Sequence, residues 1–194
     1  MAGVLIWPLS EGIRRKKKNK KVMNIEDKIK TESKKDSSRG LLKLGGNGAQ
    51  WLLQQGFAFQ PFFIYVAKDS LVGCVRESPD KSADDFVDTI RHLAVAENVT
   101  EGIFVALIDQ VSTSTPVASV QQFVLLVYQS RTHVLTFIAP VLRNADGTFS
   151  HLGQGKQAYE SPWPGNIVPK QKPGESERLA SKRLLKNRKF VVEI

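Results

Sequence analysis

The clearest pattern of apolar and polar positions along the chain lies at residues 82–97. Apolar residues recur there every three or four positions and so share one face of a helix: Phe86, Val87, Ile90, Leu93 and Ala94. Ser82 is followed three residues later by Asp85, the capping-box arrangement that begins many helices. The sequence therefore predicts an amphipathic helix over residues 82–97 with one buried face.

Runs of aromatic and β-branched residues on both sides of this helix predict strands. They cover residues 57–67, 71–77, 102–110, 120–129 and 132–142, and a turn at 144–147 could lead to a further short strand at 148–152. The first two runs are joined by a short turn and predict a hairpin. Pro61 predicts that the first strand lies at a sheet edge or contains a bulge. A short helix is predicted at residues 49–55.

Taken in order, these elements predict an α+β fold. It consists of a single, mainly antiparallel sheet of about five strands with one main helix packed on a face. Four parts are expected along the chain: a basic, disordered arm at 1–40, a globular α+β domain at 41–155, a Pro-rich linker at 156–175, and a basic C-terminal helix or tail at 176–194.

Charge is sorted along the chain. Residues 1–50 hold 13 Lys and Arg against 5 Asp and Glu, residues 51–150 hold 6 against 10, and residues 151–194 hold 9 against 4. A mildly acidic, apolar-rich middle is therefore flanked by two basic arms. Segments of this kind attract polyanions.

Two clusters of Lys and Arg carry the charge of the arms. The first cluster consists of Arg14, Arg15, Lys16, Lys17, Lys18, Lys20 and Lys21, and the second of Lys182, Arg183, Lys186, Arg188 and Lys189. On a helix, Lys182, Lys186 and Lys189 share a face. These clusters are candidates to neutralise phosphates or to contact an acidic protein. The alternative for both clusters is a solvated surface that keeps the protein in solution.

Residue types with catalytic or metal-binding chemistry form no recognisable constellation. Cys74 is the only cysteine, which excludes an intrachain disulfide and a CxxC metal site. His92, His133 and His151 fall on a predicted helix, a strand and a loop without paired spacing. Cys74 is either a nucleophile paired with His133 or an inert buried cysteine. The sequence predicts no catalytic residue, no metal and no cofactor, and favours a protein that is not an enzyme.

One glycine-rich segment, residues 45–48, has the position of a phosphate-binding loop between a predicted strand and a helix. The third glycine of GxGxxG is missing and no Gly-Lys-Ser/Thr sequence follows. We therefore interpret this segment as a flexible joint between the basic arm and the domain.

Trp163 stands between Pro162 and Pro164 in the predicted linker. A large aromatic side chain in such a segment either anchors it on the folded core or is a docking peptide for a partner. We expect the intramolecular anchor.

The order of the predicted elements resembles that of small profilin-like modules of the longin and roadblock kind. Residues 86–153 resemble a set of uncharacterised bacterial and phage α+β proteins more closely. In those proteins, as in residues 86–153, a helix leads into a buried strand, a polar loop, a hairpin and an R-x-x-D-G turn. This turn lies at residues 143–147 here. This resemblance implies a fold and brings no activity with it.

The sequence favours a small interaction module whose basic arms contact nucleic acid, ribonucleoprotein or an acidic partner. One alternative is a structural or assembly protein that dimerises through a sheet edge such as residues 57–67. The other is an enzyme or small-ligand sensor with a pocket in the domain, using Cys74, His92 or His133.

No apolar run reaches the ~18–20 residues that span a bilayer. We expect an intracellular protein, cytoplasmic or, in a eukaryotic cell, nuclear.

Overall fold

A computed structural model describes residues 37–56, 58–67, 72–76, 82–112, 119–158, 163–186 and 191–193. The first basic cluster, with Arg188 and Lys189 of the second, lies outside the described residues. The elements in chain order are α1 (Ser37–Gln54), β1 (Phe62–Val66), β2 (Val72–Arg76), α2 (Ala83–Ala96), β3 (Glu101–Ser112), β4 (Ser119–Ser130), β5 (Val134–Arg143), β6 (Phe149–Leu152), β7 (Lys156–Ala158), α3 (Glu175–Leu185) and β8 (Val191–Glu193).

The strands form one antiparallel, eight-stranded sheet in the order β6-β5-β4-β3-β1-β2-β8, with β7 also paired to β5. The predicted α+β class and antiparallel sheet are confirmed, as is the hairpin of β1 and β2. The sheet has more strands than the predicted five or so. The additional strands β7 and β8 are only three residues long, too short for an alternating pattern to identify them.

Strand β1 lies inside the sheet and pairs in regular register with both neighbours, so the prediction of an edge strand or a bulge is wrong for β1. Phe62 pairs with Arg76 of β2 on one side and with Val105 of β3 on the other. Pro61 precedes the strand, and its missing N–H therefore removes no hydrogen bond from either ladder. Both sides of β1 are paired, so a second copy has no access to this strand.

Helices cover both faces of the sheet. The apolar stripe predicted for residues 82–97 is confirmed: α2 begins after the N-cap Ser82, whose Oγ accepts a hydrogen bond from the Asp85 amide at 3.2 Å. The stripe packs on one face against Phe104 and its neighbours. Ile103 and Val105 point to the other face, against α1. This alternation follows from the two-residue repeat of a strand and produces two cores.

Helix α1 runs through residues 45–48, so their interpretation as a flexible joint is wrong. A Cβ on Gly45 would lie 2.8 Å from Ile103 Cδ1, and one on Gly48 would lie 3.0 Å from Phe62 Cζ. Glycine therefore allows the helix axis to come close to the sheet. The packing offsets the cost of about 1 kcal/mol that each helical glycine imposes relative to alanine.

Residues 163–186 lie on the α2 face of the sheet. Ile167 and Val168 are buried in the same core as Phe104. Helix α3 packs against α2, and β8 pairs with β2 at the sheet edge. The predicted boundaries of the domain at residue 155 and of the linker at residue 175 stay predictions. The described part of the predicted linker packs against the sheet and α2.

Candidate functional site

Three cations of the second cluster lie together at the C-terminal end of α3, with Lys182 and Arg183 in its last turn and Lys186 at its C-cap. Its inner side carries the buried Ser181 and the half-buried Leu185, which packs against the core beneath α2. A second stripe of side chains runs along the helix beside this inner side. It consists of Leu179, Lys182, Arg183 and Lys186, which follow one another at helical spacing.

This stripe forms one wall of a shallow, open cleft of about 470 Å³ between α2 and α3. Leu93, Leu179 and Leu185 give the cleft its apolar surface. Lys182, Arg183, Lys186 and Glu97 supply its charged groups. We call this feature the α2–α3 cleft.

The charge of the cleft is unbalanced. Among the described residues, none of the three cations forms an ion pair with a carboxylate, and Glu97 is the only carboxylate that lines the cleft. Glu97 is also the C-cap of α2. Lys182 and Arg183 stand in the last turn of α3, where cations also compensate the helix dipole. Three cations and one carboxylate leave the cleft positive.

Trp163 is in contact with the core of its own chain. Its ring meets Phe104 edge-on, with centroids 5.1 Å apart and planes at 80°. Its Nε1 donates a hydrogen bond to Asp84 Oδ1 at 3.1 Å. In this position its aromatic surface packs against the core and its polar edge has a partner on α2.

Residues 163–168, which we call the strap, are also held by Gln129 of β4. Gln129 is 3% exposed. Its Oε1 accepts hydrogen bonds from the amides of Ile167 at 2.6 Å and Val168 at 3.2 Å, and its Nε2 donates to the Gly165 carbonyl. Sequence reasoning missed this residue. The only signal for it is an amide side chain directly after the apolar run at residues 123–128.

Arg91 of α2 completes the attachment of the strap. Its Nη2 donates to the Pro164 carbonyl at 2.5 Å and its Nε to the Asn166 carbonyl at 3.1 Å, while Nη1 bonds Asp88 at 2.7 Å. The guanidinium thus satisfies two strap carbonyls from the helix surface, which fixes the strap relative to α2.

The residues considered for a catalytic pocket do not converge. Cys74 of β2 packs at the margin of the α1-side core, whereas His92 is on α2 across the sheet. His133 is exposed in the turn before β5, with its Nδ1 2.7 Å from Thr132 Oγ1. In the described ranges, no group of three His, Cys, Asp or Glu residues is close enough to hold a metal ion.

Shifted pKa values occur at Tyr65 and Asp146. Burial raises the pKa of the Tyr65 phenol, and the nearby Glu97 and Cys74 raise it further. The Thr148 hydroxyl, followed by the Thr148 amide, donates to Asp146 and lowers the pKa of that carboxyl. Neither side chain lines the α2–α3 cleft. Packing and a turn therefore account for both shifts.

No protein-family model, curated protein or solved structure matches the chain. The resemblance of residues 86–153 to bacterial and phage proteins therefore stays an interpretation of the sequence. In the part of the chain that the structure describes, no helix combines the length and apolar character needed to cross a membrane.

Proposed function

We propose that this protein is a non-catalytic interaction module whose basic arms bind polyanions, with nucleic acid as the ligand class. The observation that carries the proposal is the grouping of Lys182, Arg183 and Lys186 on one side of α3, a helix packed on the core. The sorted charge of the sequence supports it, because both ends of the chain are basic and the middle is acidic.

The physical basis is counterion release. Each phosphate neutralised by Lys or Arg frees condensed counterions, so affinity falls as salt rises. Cations on a packed helix lose less conformational freedom on binding than cations on an unattached segment. Contacts to phosphate carry no sequence information directly, so we expect little preference among nucleic acid sequences.

The test is the affinity of the full chain for a short RNA and a short DNA duplex across a salt series. We expect log affinity to fall linearly against log salt. Changing Lys182, Arg183 and Lys186 together to Gln should reduce the slope on duplex DNA by about 0.9 for each phosphate that the variant no longer neutralises. Changing the Lys and Arg residues of the first cluster, at 14–21, to Gln should reduce the slope independently of the change on α3.

A control variant carries Lys170→Gln and Lys172→Gln, two exposed positions that do not line the cleft. It removes charge from the same arm and should change the slope less than the α3 variant does. Absence of binding at low salt, or a slope that neither cluster variant changes, would refute the proposed function.

A further inference from the structure

We propose that the α2–α3 cleft binds an acidic amphipathic helix of a partner protein. Aliphatic side chains of that helix enter the cleft, and its carboxylates pair with Lys182, Arg183 and Lys186. The inference rests on the proposed function in one respect, which is that the cations of α3 bind an anionic partner. It adds a polypeptide ligand at this site, which would compete with nucleic acid for the three cations.

The apolar surface of the cleft is the first reason. Leu179 is 48% exposed beside Lys182 and Arg183, and Leu93 and Leu185 continue the apolar surface toward the core. An apolar centre with charged residues at its margin is the usual anatomy of a protein–protein interface. Helix-binding grooves take apolar side chains at intervals of three and four residues.

A nucleic acid bound at the three cations would leave the apolar surface of the cleft without a partner. Bases of single strands stack on aromatic side chains, and none of the described residues that line the cleft is aromatic. A duplex presents phosphates to the cations but nothing aliphatic to the leucines. An acidic amphipathic helix uses both the charged and the apolar groups.

The spacing of the cations fits carboxylates on a helix. Lys182 and Lys186 are one turn apart on α3, a rise of about 6 Å. Carboxylates at positions i and i+4 of a partner helix repeat at the same distance. Charge complementarity of this kind fixes the register of a complex and speeds association.

The probe is a fluorescein-labelled peptide of Glu, Ala and Leu with leucines at helical i, i+3 and i+7 positions. A second peptide has the same composition with the leucines scrambled, and a third contains no leucine. We expect the amphipathic peptide to bind the full chain at least about tenfold more tightly than either control peptide.

Variants of the full chain then locate the site. The triple change of Lys182, Arg183 and Lys186 to Gln, and separately Leu179→Asp, should each weaken binding of the amphipathic peptide by at least about tenfold. Leu184→Asp is the matched control, because Leu184 is 52% exposed on the same helix but does not line the cleft. It should leave the affinity unchanged within about twofold.

Glu97→Gln tests whether negative charge in the cleft weakens binding of the acidic peptide. It removes the carboxylate that lines the cleft, so an acidic peptide should bind about two- to tenfold more tightly. Weaker binding of the acidic peptide by this variant would contradict the inference. Circular dichroism and thermal unfolding confirm that each variant is folded.

The proposal is overturned if the scrambled peptide binds as tightly as the amphipathic one, or if Leu179→Asp and Leu184→Asp behave alike. It is also overturned if Leu179→Asp weakens RNA or DNA binding while the peptide does not bind, since the cleft would then take nucleic acid. Failure of nucleic acid binding with intact, Leu179-dependent peptide binding would refute the proposed ligand class and support this inference.

Discussion

Gln129 shows how one residue connects distant parts of the chain. Its side-chain amide lies in the α2-side core and serves as the hydrogen-bond partner for three backbone groups of the strap. The amides of Ile167 and Val168 would otherwise be buried without a partner, which costs about 1–3 kcal/mol for each group. The sequence could not predict this role, because the partners lie 36 to 39 residues further along the chain.

We predict that Gln129→Leu lowers the free energy of unfolding by about 2–4 kcal/mol. Leucine fills a similar volume but leaves the amides of Ile167 and Val168 without an acceptor. Chemical denaturation monitored by circular dichroism measures the change. Gln121→Leu, at an exposed position of the same strand, is the control and should shift stability by less than about 0.5 kcal/mol. Equal stabilities of the two variants would show that the strap does not depend on this amide.

At the scale of elements, prediction succeeds where the signal is local. The bounds of α2 follow from a capping residue and an apolar stripe within fourteen residues. The sequence predicts α1 far too short, because four residues with three glycines disfavour a helix in isolation. The close packing of α1 on the sheet, where a Cβ on Gly45 would lie 2.8 Å from Ile103 Cδ1, reverses that preference. The close approach is a tertiary effect that no local window contains.

The candidate site is predicted only in part for the same reason. The second basic cluster is recognisable from composition, and three of its five members line the α2–α3 cleft. The apolar part of the cleft is not recognisable from the sequence, because Leu179 and Leu185 of α3 show no clean repeat of 3.6 residues. Their role depends on Leu93 of α2, which only packing brings alongside.

We predict opposite effects of alanine at two adjacent glycines of α1. Gly46→Ala should stabilise the protein by about 0.5–1 kcal/mol, since a Cβ there meets nothing within 4 Å and alanine favours a helix. Gly45→Ala should destabilise it by about 1–3 kcal/mol, because its Cβ would lie 2.8–3.1 Å from Ile103, Val105 and Leu126. Thermal unfolding of both variants checks this. Stabilisation by both would mean that α1 lies further from the sheet.

At the scale of the whole molecule, the basic C-terminal segment is attached to the folded core by several independent contacts. Trp163 packs on Phe104, Gln129 and Arg91 bind the strap, and α3 packs on α2. Proline and glycine in residues 160–175 suggest a linker because their local preferences are those of extended chain. Here residues 163–168 pack against the core and α3 packs on α2, and the cations of α3 therefore have a defined position relative to the sheet.

We predict that this segment contributes to the stability of the sheet, which shortened chains can measure. A chain ending at Ala158 lacks the strap and α3, and loses the burial of Ile167 and Val168. Each buried aliphatic side chain stabilises by about 1.5–3 kcal/mol, and chain entropy offsets part of that. We expect the free energy of unfolding to fall by at least about 3 kcal/mol.

A chain ending at Lys186 is the matched control for that experiment. It keeps the strap and α3 and lacks β8, which pairs with β2 through only three residues at the sheet edge. Its stability should fall by about 1 kcal/mol, comparable to one or two edge hydrogen bonds. If the chain ending at Ala158 unfolded at the same denaturant concentration as the full protein, the domain would end near residue 155, as the sequence predicts. The α3 cations would then be carried by an appendage that packs on α2 without stabilising the core.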